Sequence, residues 1–390
     1  MKPLSFENTK IAFQSKSTTQ LNKSYWLFKL ISNSTLVNIS PFLLKAALFL
    51  KIPIKSLIKK TIFEQFCGGE SIEDCNKRIL ELSKFNIGTI LDYSVEGKER
   101  EDDFNRVEQE TIRTIIKAKG NNNIPFAVFK ISGLGRNYLL EKVSSKKKLS
   151  FQEREEYEKI KNRVKKICKT AYDNNVRIFI DAEESWIQNS IDDLAISMMQ
   201  VFNRDKAIIY NTLQMYRWDR FSYLKQCYGD AVNRNYFLGL KIVRGAYMHK
   251  ERLRAKKNGY TCPIQKDKFN CDKDYNLALT YCINNIDKIA FCIGTHNEYS
   301  SILATKLMSK NNISNNDQRI YFSQLLGMSD HISYNLAKNG YNVSKYIPFG
   351  PIKEMIPYLI RRAEENSSVK GQTSRELALI KKELQRRKKN

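Results

Sequence analysis

Between residues 87 and 349 the chain alternates short runs that are apolar throughout with polar stretches of helical length. Eight such runs predict strands: Ile87 to Ser94, Ile124 to Ser132, Val176 to Ala182, Ile208 to Gln214, Phe237 to Ala246, Ile289 to His296, Ile320 to Leu326 and Val343 to Phe349. Strands that are apolar on both faces belong to a parallel sheet covered by helices. Eight in succession predict an α/β fold closed into a (βα)8 barrel, with a doubly wound open sheet as the alternative.

The flanks read differently. Residues 1 to 20 are polar, rich in Ser, Thr, Asn and Gln, and are expected to be poorly ordered. Tyr25 to Phe66 is apolar and basic together, but Lys45, Lys51 and Pro53 break it well short of the roughly 20 apolar residues a spanning helix needs. It predicts an N-terminal helical layer on the main domain, with an interfacial helix on anionic lipid as the functional reading. The organisation is therefore residues 1–86 as tail and helical layer and 87–390 as the catalytic barrel. Residues 141 to 167 predict a solvated, charge-laced helix, and Met248 to Asp274 a long polar excursion after strand five. The tail from Leu377 predicts a basic helix or frayed end.

A formal charge of +25 would suit a nucleic acid or an anionic membrane, but the Lys is spread along the whole chain, so compositional drift explains it as well as a binding patch does. The eight Cys include no C-x-x-C pair, and only three His accompany them. Reduced, buried thiols are expected rather than a metal site. No apolar secretory segment with a small-residue cleavage site precedes the barrel, so a reducing cytoplasmic compartment is expected, with peripheral contact at the inner membrane as the functional reading of the segment before residue 66.

The barrel reading demands polar residues at the carboxyl ends of the strands. Lys130 and Ser132 end strand two, Asp181 to Glu183 strand three, Gln214 strand four, Lys241 to Tyr247 lie on strand five, Thr295 to Asn297 end strand six, and Tyr346 lies on strand eight. Charged groups at the ends of apolar strands are costly unless paired or used. Beyond strand eight, Tyr358, Arg361, Arg362 and Glu365 fall at i, i+3, i+4 and i+7, on one helix face. Adjacent guanidiniums match a carboxylate in bidentate fashion. Gly133-Leu134-Gly135 lacks the third Gly of a dinucleotide fingerprint, and no phosphate loop occurs. A mouth with several cations and few acids suits an anionic cofactor and a small carboxylate substrate, not a hydrolase or a hard-metal site.

With these motifs placed, the chain resembles the proline dehydrogenase family, flavin enzymes of proline catabolism. The resemblance is carried by Ile90 to Gly97, Phe129-Lys130, Asp181-Ala182-Glu183, Asn211 to Tyr216, Lys241 to Tyr247, Gly294 to Asn297, Gln324 to Met328 and the Tyr-x-x-Arg-Arg-x-x-Glu helix at 358–365, all in the family order. It implies a distorted (βα)8 TIM barrel with a C-terminal helix over its mouth, holding FAD non-covalently. It implies oxidation of L-proline to Δ1-pyrroline-5-carboxylate. Lys130, Arg361 and Arg362 resemble the carboxylate clamp, and Leu325, Tyr346 and Tyr358 the lining around the proline ring. Asp181, Ala182, Gln214, Lys241, Arg244, Gly245, Ala246, Thr295, His296 and Asn297 resemble the flavin contacts. Glu365 is expected to orient one of the arginines, and Glu96 to pair with Arg361.

Many bacterial members carry Arg where this chain has Lys241; the Lys, with the Gln-Leu-Leu-Gly-Met run, resembles the mitochondrial-type branch. Tyr346 favours proline, since hydroxyproline-oxidising relatives have a smaller residue there. The resemblance further implies a quinone-type electron acceptor, a separate pyrroline-5-carboxylate dehydrogenase downstream, and no nucleic-acid partner. The rivals are a dehydrogenase for hydroxyproline or another cyclic imino acid, a flavin-free barrel that binds a phosphorylated substrate, and a basic nucleic-acid-binding protein.

Overall fold

All eight apolar runs form strands in the computed structural model: β1 (Ile87–Tyr93), β2 (Phe126–Phe129), β3 (Arg177–Ile180), β4 (Ile209–Gln214), β5 (Leu238–Val243), β6 (Ile289–Gly294), β7 (Ile320–Leu325) and β8 (Val343–Phe349). They close in chain order into a parallel barrel. The closing pair runs from Ile87 opposite Val343 to Tyr93 opposite Phe349. The structure describes residues 4–32, 58–94, 99–368 and 372–389, with side chains in the last helices described up to 362 and again from 374. Most of the basic apolar segment before residue 58, and Glu96, thus lie outside the described residues.

Side-chain alternation fills the lumen. Ile90, Phe126, Val128, Phe179, Tyr210, Cys292, Tyr321 and Tyr346 form one buried cluster there. Phe126 stacks on Phe179 at 4.3 Å, and the Arg177 guanidinium lies over the rings of both Phe126 and Tyr321, at 5.5 and 5.2 Å. These side chains fill the lower lumen, and the polar residues that follow them along the strands lie toward the carboxyl-end mouth.

The flanks are more ordered than their polarity suggested. Ser17 and Gln20 form a capping box that starts the helix Thr18–Ile31, and Phe6, Ala12 and Phe13 ahead of it are buried. At the other end, the helix Gln372–Lys389 buries Leu379, Ile380, Glu376 and Glu383. Phe13, Leu21, Phe28, Phe66, Met328, Met355, Tyr358, Leu379 and Ile380 make a second hydrophobic core from both ends of the chain. Apolar residues sparse in sequence are brought together by tertiary packing, which local composition does not reveal. This core carries the helix Ile352–Ser368 that follows β8.

Two internal expectations also change. Residues 141–167 fall across two helices, Asn137–Ser144 and Phe151–Asp173, and the second buries Ile160, Val164, Ile167 and Cys168. The excursion after β5 contains a helix, Met248–Asn258. Its fully buried Glu251 accepts bonds from the Ser185 backbone N–H and Oγ, each at 2.6 Å, and so anchors the excursion to the loop after β3. The eight cysteines are free, all buried but the half-buried Cys262.

Candidate active site

Continuing the lumen alternation two residues toward the mouth places Asp92 above Ile90, Lys130 above Val128 and Asp181 above Phe179. Lys241, on β5, reaches across to them. Its Nζ donates to Asp181 Oδ1 and to the Tyr346 hydroxyl. It also lies 5.0 Å from the Phe179 ring centroid and 4.5 Å from that of Tyr346. Tyr346 in turn donates to Asp181 Oδ1 at 3.3 Å. Lys130 Nζ sits 3.5 Å from Asp181 Oδ2 and 3.7 Å from Asp92 Oδ2.

Two ammoniums and two carboxylates therefore face one another in a nearly dry site. Burial alone would raise the Asp181 carboxyl, but the charges of Lys241 and Lys130 outweigh it and hold Asp181 below the usual carboxylate range. Burial, with the Asp181 charge beside it, pushes the Tyr346 phenol well above its ordinary value. Asp181 is an anion and Tyr346 a neutral hydroxyl.

Next to this network, burial raises the Glu183 carboxyl to about 7 despite bonds from Ser132. Its Oε1 accepts from the Ser132 backbone N–H at 3.0 Å, and its Oε2 from the Ser132 Oγ. Gln214 donates to the Glu183 carbonyl at 2.6 Å, tying the ends of β3 and β4 together. Ala182, between them, is buried.

On the far side, Arg244 donates from Nε to Asp272 Oδ1 (2.7 Å), from one terminal nitrogen to Thr295 Oγ1 (2.8 Å) and from the other to Ser300 Oγ (3.0 Å). Its plane also lies over the Tyr275 ring at 4.2 Å. Thr295 Oγ1 accepts from the Asn297 backbone N–H, and Asn297 Oδ1 caps the helix Glu298–Lys310 by accepting from Ser300 N at 2.9 Å. Burial, followed by the charges of Lys345 and Arg362, brings His296 down to about 3. The imidazole is neutral, and its Nδ1 lies 2.9 Å from Ser329 Oγ. Gly245 takes φ +137°, and a Cβ there would stand 2.5 Å from the Tyr216 ring. Gly245 and Ala246 are exposed at the rim.

Leu325 pairs in register with Tyr346 and packs against both the lumen cluster and the second core. Tyr358 and Arg362 are buried, with the guanidinium 5.3 Å from the Tyr358 ring, and Arg361 is half-buried. The Glu365 side chain and its expected tie to an arginine, like the Glu96 to Arg361 pair, fall outside the described residues.

Lys130, Asp181, Lys241 and Tyr346 thus form one contact network; Arg244, Thr295 and Asn297 form a second, and Leu325 and Tyr358 meet in the core beside them. Asp92, Ser132 and Glu183 stand among the polar strand ends and motifs read from the sequence, which gave none of them a role in the site; their contacts with Lys130 and with each other's loops supply it. Asp272 and Ser300, which hold Arg244, gave no sequence signal because their contacts are purely tertiary.

A family model described as "Proline dehydrogenase" matches residues 75–375. The chain is 35% identical over 322 residues to the carbapenem antibiotics biosynthesis protein CarD of Pectobacterium carotovorum subsp. carotovorum, covering 83% of each. It is 34% identical over 426 residues to proline dehydrogenase 1, mitochondrial, of Dictyostelium discoideum, covering 97% of this chain and 74% of that protein. Among solved structures, proline utilization A from Bdellovibrio bacteriovorus, inactivated by N-propargylglycine, superposes with a TM-score of 0.73 at 18% identity. That match covers 92% of this chain and 38% of the other and marks a shared fold.

Proposed function

Because the chain belongs to the proline dehydrogenase family, we propose that it oxidises L-proline to Δ1-pyrroline-5-carboxylate using non-covalently held FAD. The observation that carries this reading is the single network of Lys130, Asp181, Lys241 and Tyr346 at the open end of the barrel.

The donor set fits a large anionic cofactor. Gln214 ends β4, Lys241 lies within β5 with Arg244 just after it, and Thr295, His296 and Asn297 follow β6, with the side-chain-free backbone of Gly245 among them. These residues, with Asp181, Ala182 and Ala246, would hold FAD. When bound, FAD supplies the hydride acceptor.

The chain's own residues must fix a small zwitterion with one ring carbon aimed at that acceptor. Arg361 and Arg362 would take the carboxylate, and Lys130 adds a third positive charge. Leu325, Tyr346 and Tyr358 would enclose the ring and exclude water. Asp181 fixes the two lysines in place, and Lys241 offers a preorganised positive charge inside the mouth. Loss of the hydride from the carbon next to nitrogen and of one proton from that nitrogen leaves the C=N bond of the product.

The electrons would pass to a quinone-type acceptor, with the product taken up by a separate dehydrogenase. Peripheral membrane contact is supported by Trp26 and Leu30, both exposed, with Lys29 lying 4.7 Å from the Trp26 ring. Among the described residues no helix is long and apolar enough to cross a membrane. The test is steady-state turnover of the FAD-loaded protein with an artificial electron acceptor. L-proline should yield a cyclic imine at a rate well above that with hydroxyproline; no turnover of either imino acid would overturn the reading.

A further inference from the structure

Tyr346 points into the lumen, so its neighbour Lys345 points away from it, toward the surrounding helices. Lys345 is nonetheless completely buried. Its Nζ donates to the Met328 carbonyl at 2.5 Å, faces the Leu325 carbonyl at 3.4 Å and pairs with Asp330 Oδ1 at 2.9 Å. An ammonium has three donors, and here three oxygens from one turn receive them. The second oxygen of Asp330 is held by Lys16 at 3.0 Å.

In that turn, Leu325 to Asp330, Gly327 takes φ +75°, which a glycine adopts freely, and Ser329 takes +51°, which a serine does not. The turn is held from every side. Gln65 donates to the Gly327 carbonyl at 2.9 Å, His296 meets Ser329 Oγ, and the Ser329 backbone N–H donates to the buried carboxylate of Glu376 on the last helix. A buried charge pair seldom adds stability over apolar residues of the same size, so stability alone gives little reason for a lysine here.

We propose that Lys345 is a positioning residue for the substrate: from behind β8 it fixes the turn that carries Leu325, while Tyr346, the next residue, faces the same pocket. The inference rests on the proline dehydrogenase reading given above. Glu376 holds the same turn through the Ser329 backbone N–H. Neither residue touches the substrate; the β7–β8 ladder fixes Leu325 beside Tyr346, and each of the two holds the turn that follows Leu325 and so the facing of that wall.

The experiment is steady-state kinetics of FAD-loaded Lys345→Met against the parent, with Glu376→Ala as a second variant that leaves the lysine pair intact. Lys345→Met should raise the KM for L-proline about tenfold or more while kcat falls by less than about threefold, a loss of uniform binding rather than of folded enzyme. An unchanged KM in folded Lys345→Met would overturn the proposal. If that variant does not fold, Glu376→Ala decides, a raised KM supporting the proposal and an unchanged one overturning it. A parent that turns over no proline would instead overturn the functional reading, and the proposal with it.

Discussion

Lys241 on β5 bonds to Asp181 at the end of β3, across the strand that separates them. Both are largely buried, and Lys130 shares the same carboxylate. Removing one partner leaves an uncompensated charge in a nearly dry site, which costs about 3–5 kcal/mol. Asp181→Asn should therefore lower the melting temperature and abolish most activity. Asp181→Asn combined with Lys241→Met should recover much of the stability and none of the turnover, as thermal melts and kcat measured on the same samples would show.

Glu183 and His296 give stability opposite pH slopes. Glu183 rises from an ordinary 4.5 to about 7, so between those values the native state keeps a proton the unfolded chain has lost, and stability falls as pH rises through that window. His296 drops from 6.5 to about 3; below 6.5 the unfolded chain takes up a proton the native state refuses, so this contribution is lost as pH falls. The stability difference between Glu183→Gln and the parent should shift in the variant's favour by about 3 kcal/mol between roughly pH 4 and pH 8. Denaturant titrations at the two pH values measure it.

Arg244 uses a fork that a lysine lacks. Its three nitrogens reach Asp272, Thr295 and Ser300 on different elements. Arg244→Lys should loosen all three and weaken FAD affinity by about tenfold to a hundredfold, about 1.4 kcal/mol per factor of ten. Titration of apoprotein with FAD checks this without reference to turnover.

Tyr346 fills the space beside Phe179, with ring centroids 6.3 Å apart. Tyr346→Ser opens room and removes a hydroxyl from the Lys241 and Asp181 network. Proline kcat/KM should fall by about a hundredfold while hydroxyproline falls much less, each decade being about 1.4 kcal/mol of transition-state binding.

The barrel was legible because parallel strands buried on both faces leave unmistakable apolar runs. All eight appear, although β2 and β3 are shorter than expected since Lys130 and Asp181 already belong to the mouth. The cationic side of the site was legible for the same reason: Lys130, Lys241 and Arg244 interrupt or end apolar runs. Its acidic balance was less so, because Asp92 looked like part of a strand motif until its 3.7 Å approach to Lys130 was seen. The ordered flanks were hidden altogether. Phe13 and Ile380 are isolated apolar residues in polar surroundings, and nothing local says that they pack into one core from opposite ends of the chain.

The most direct test of the account is the visible spectrum of the FAD-loaded protein, recorded before and after anaerobic addition of L-proline. Flavin bands should bleach with L-proline and far less with hydroxyproline. A protein that takes up no FAD, or whose flavin bands are unmoved by proline, would contradict the central claim.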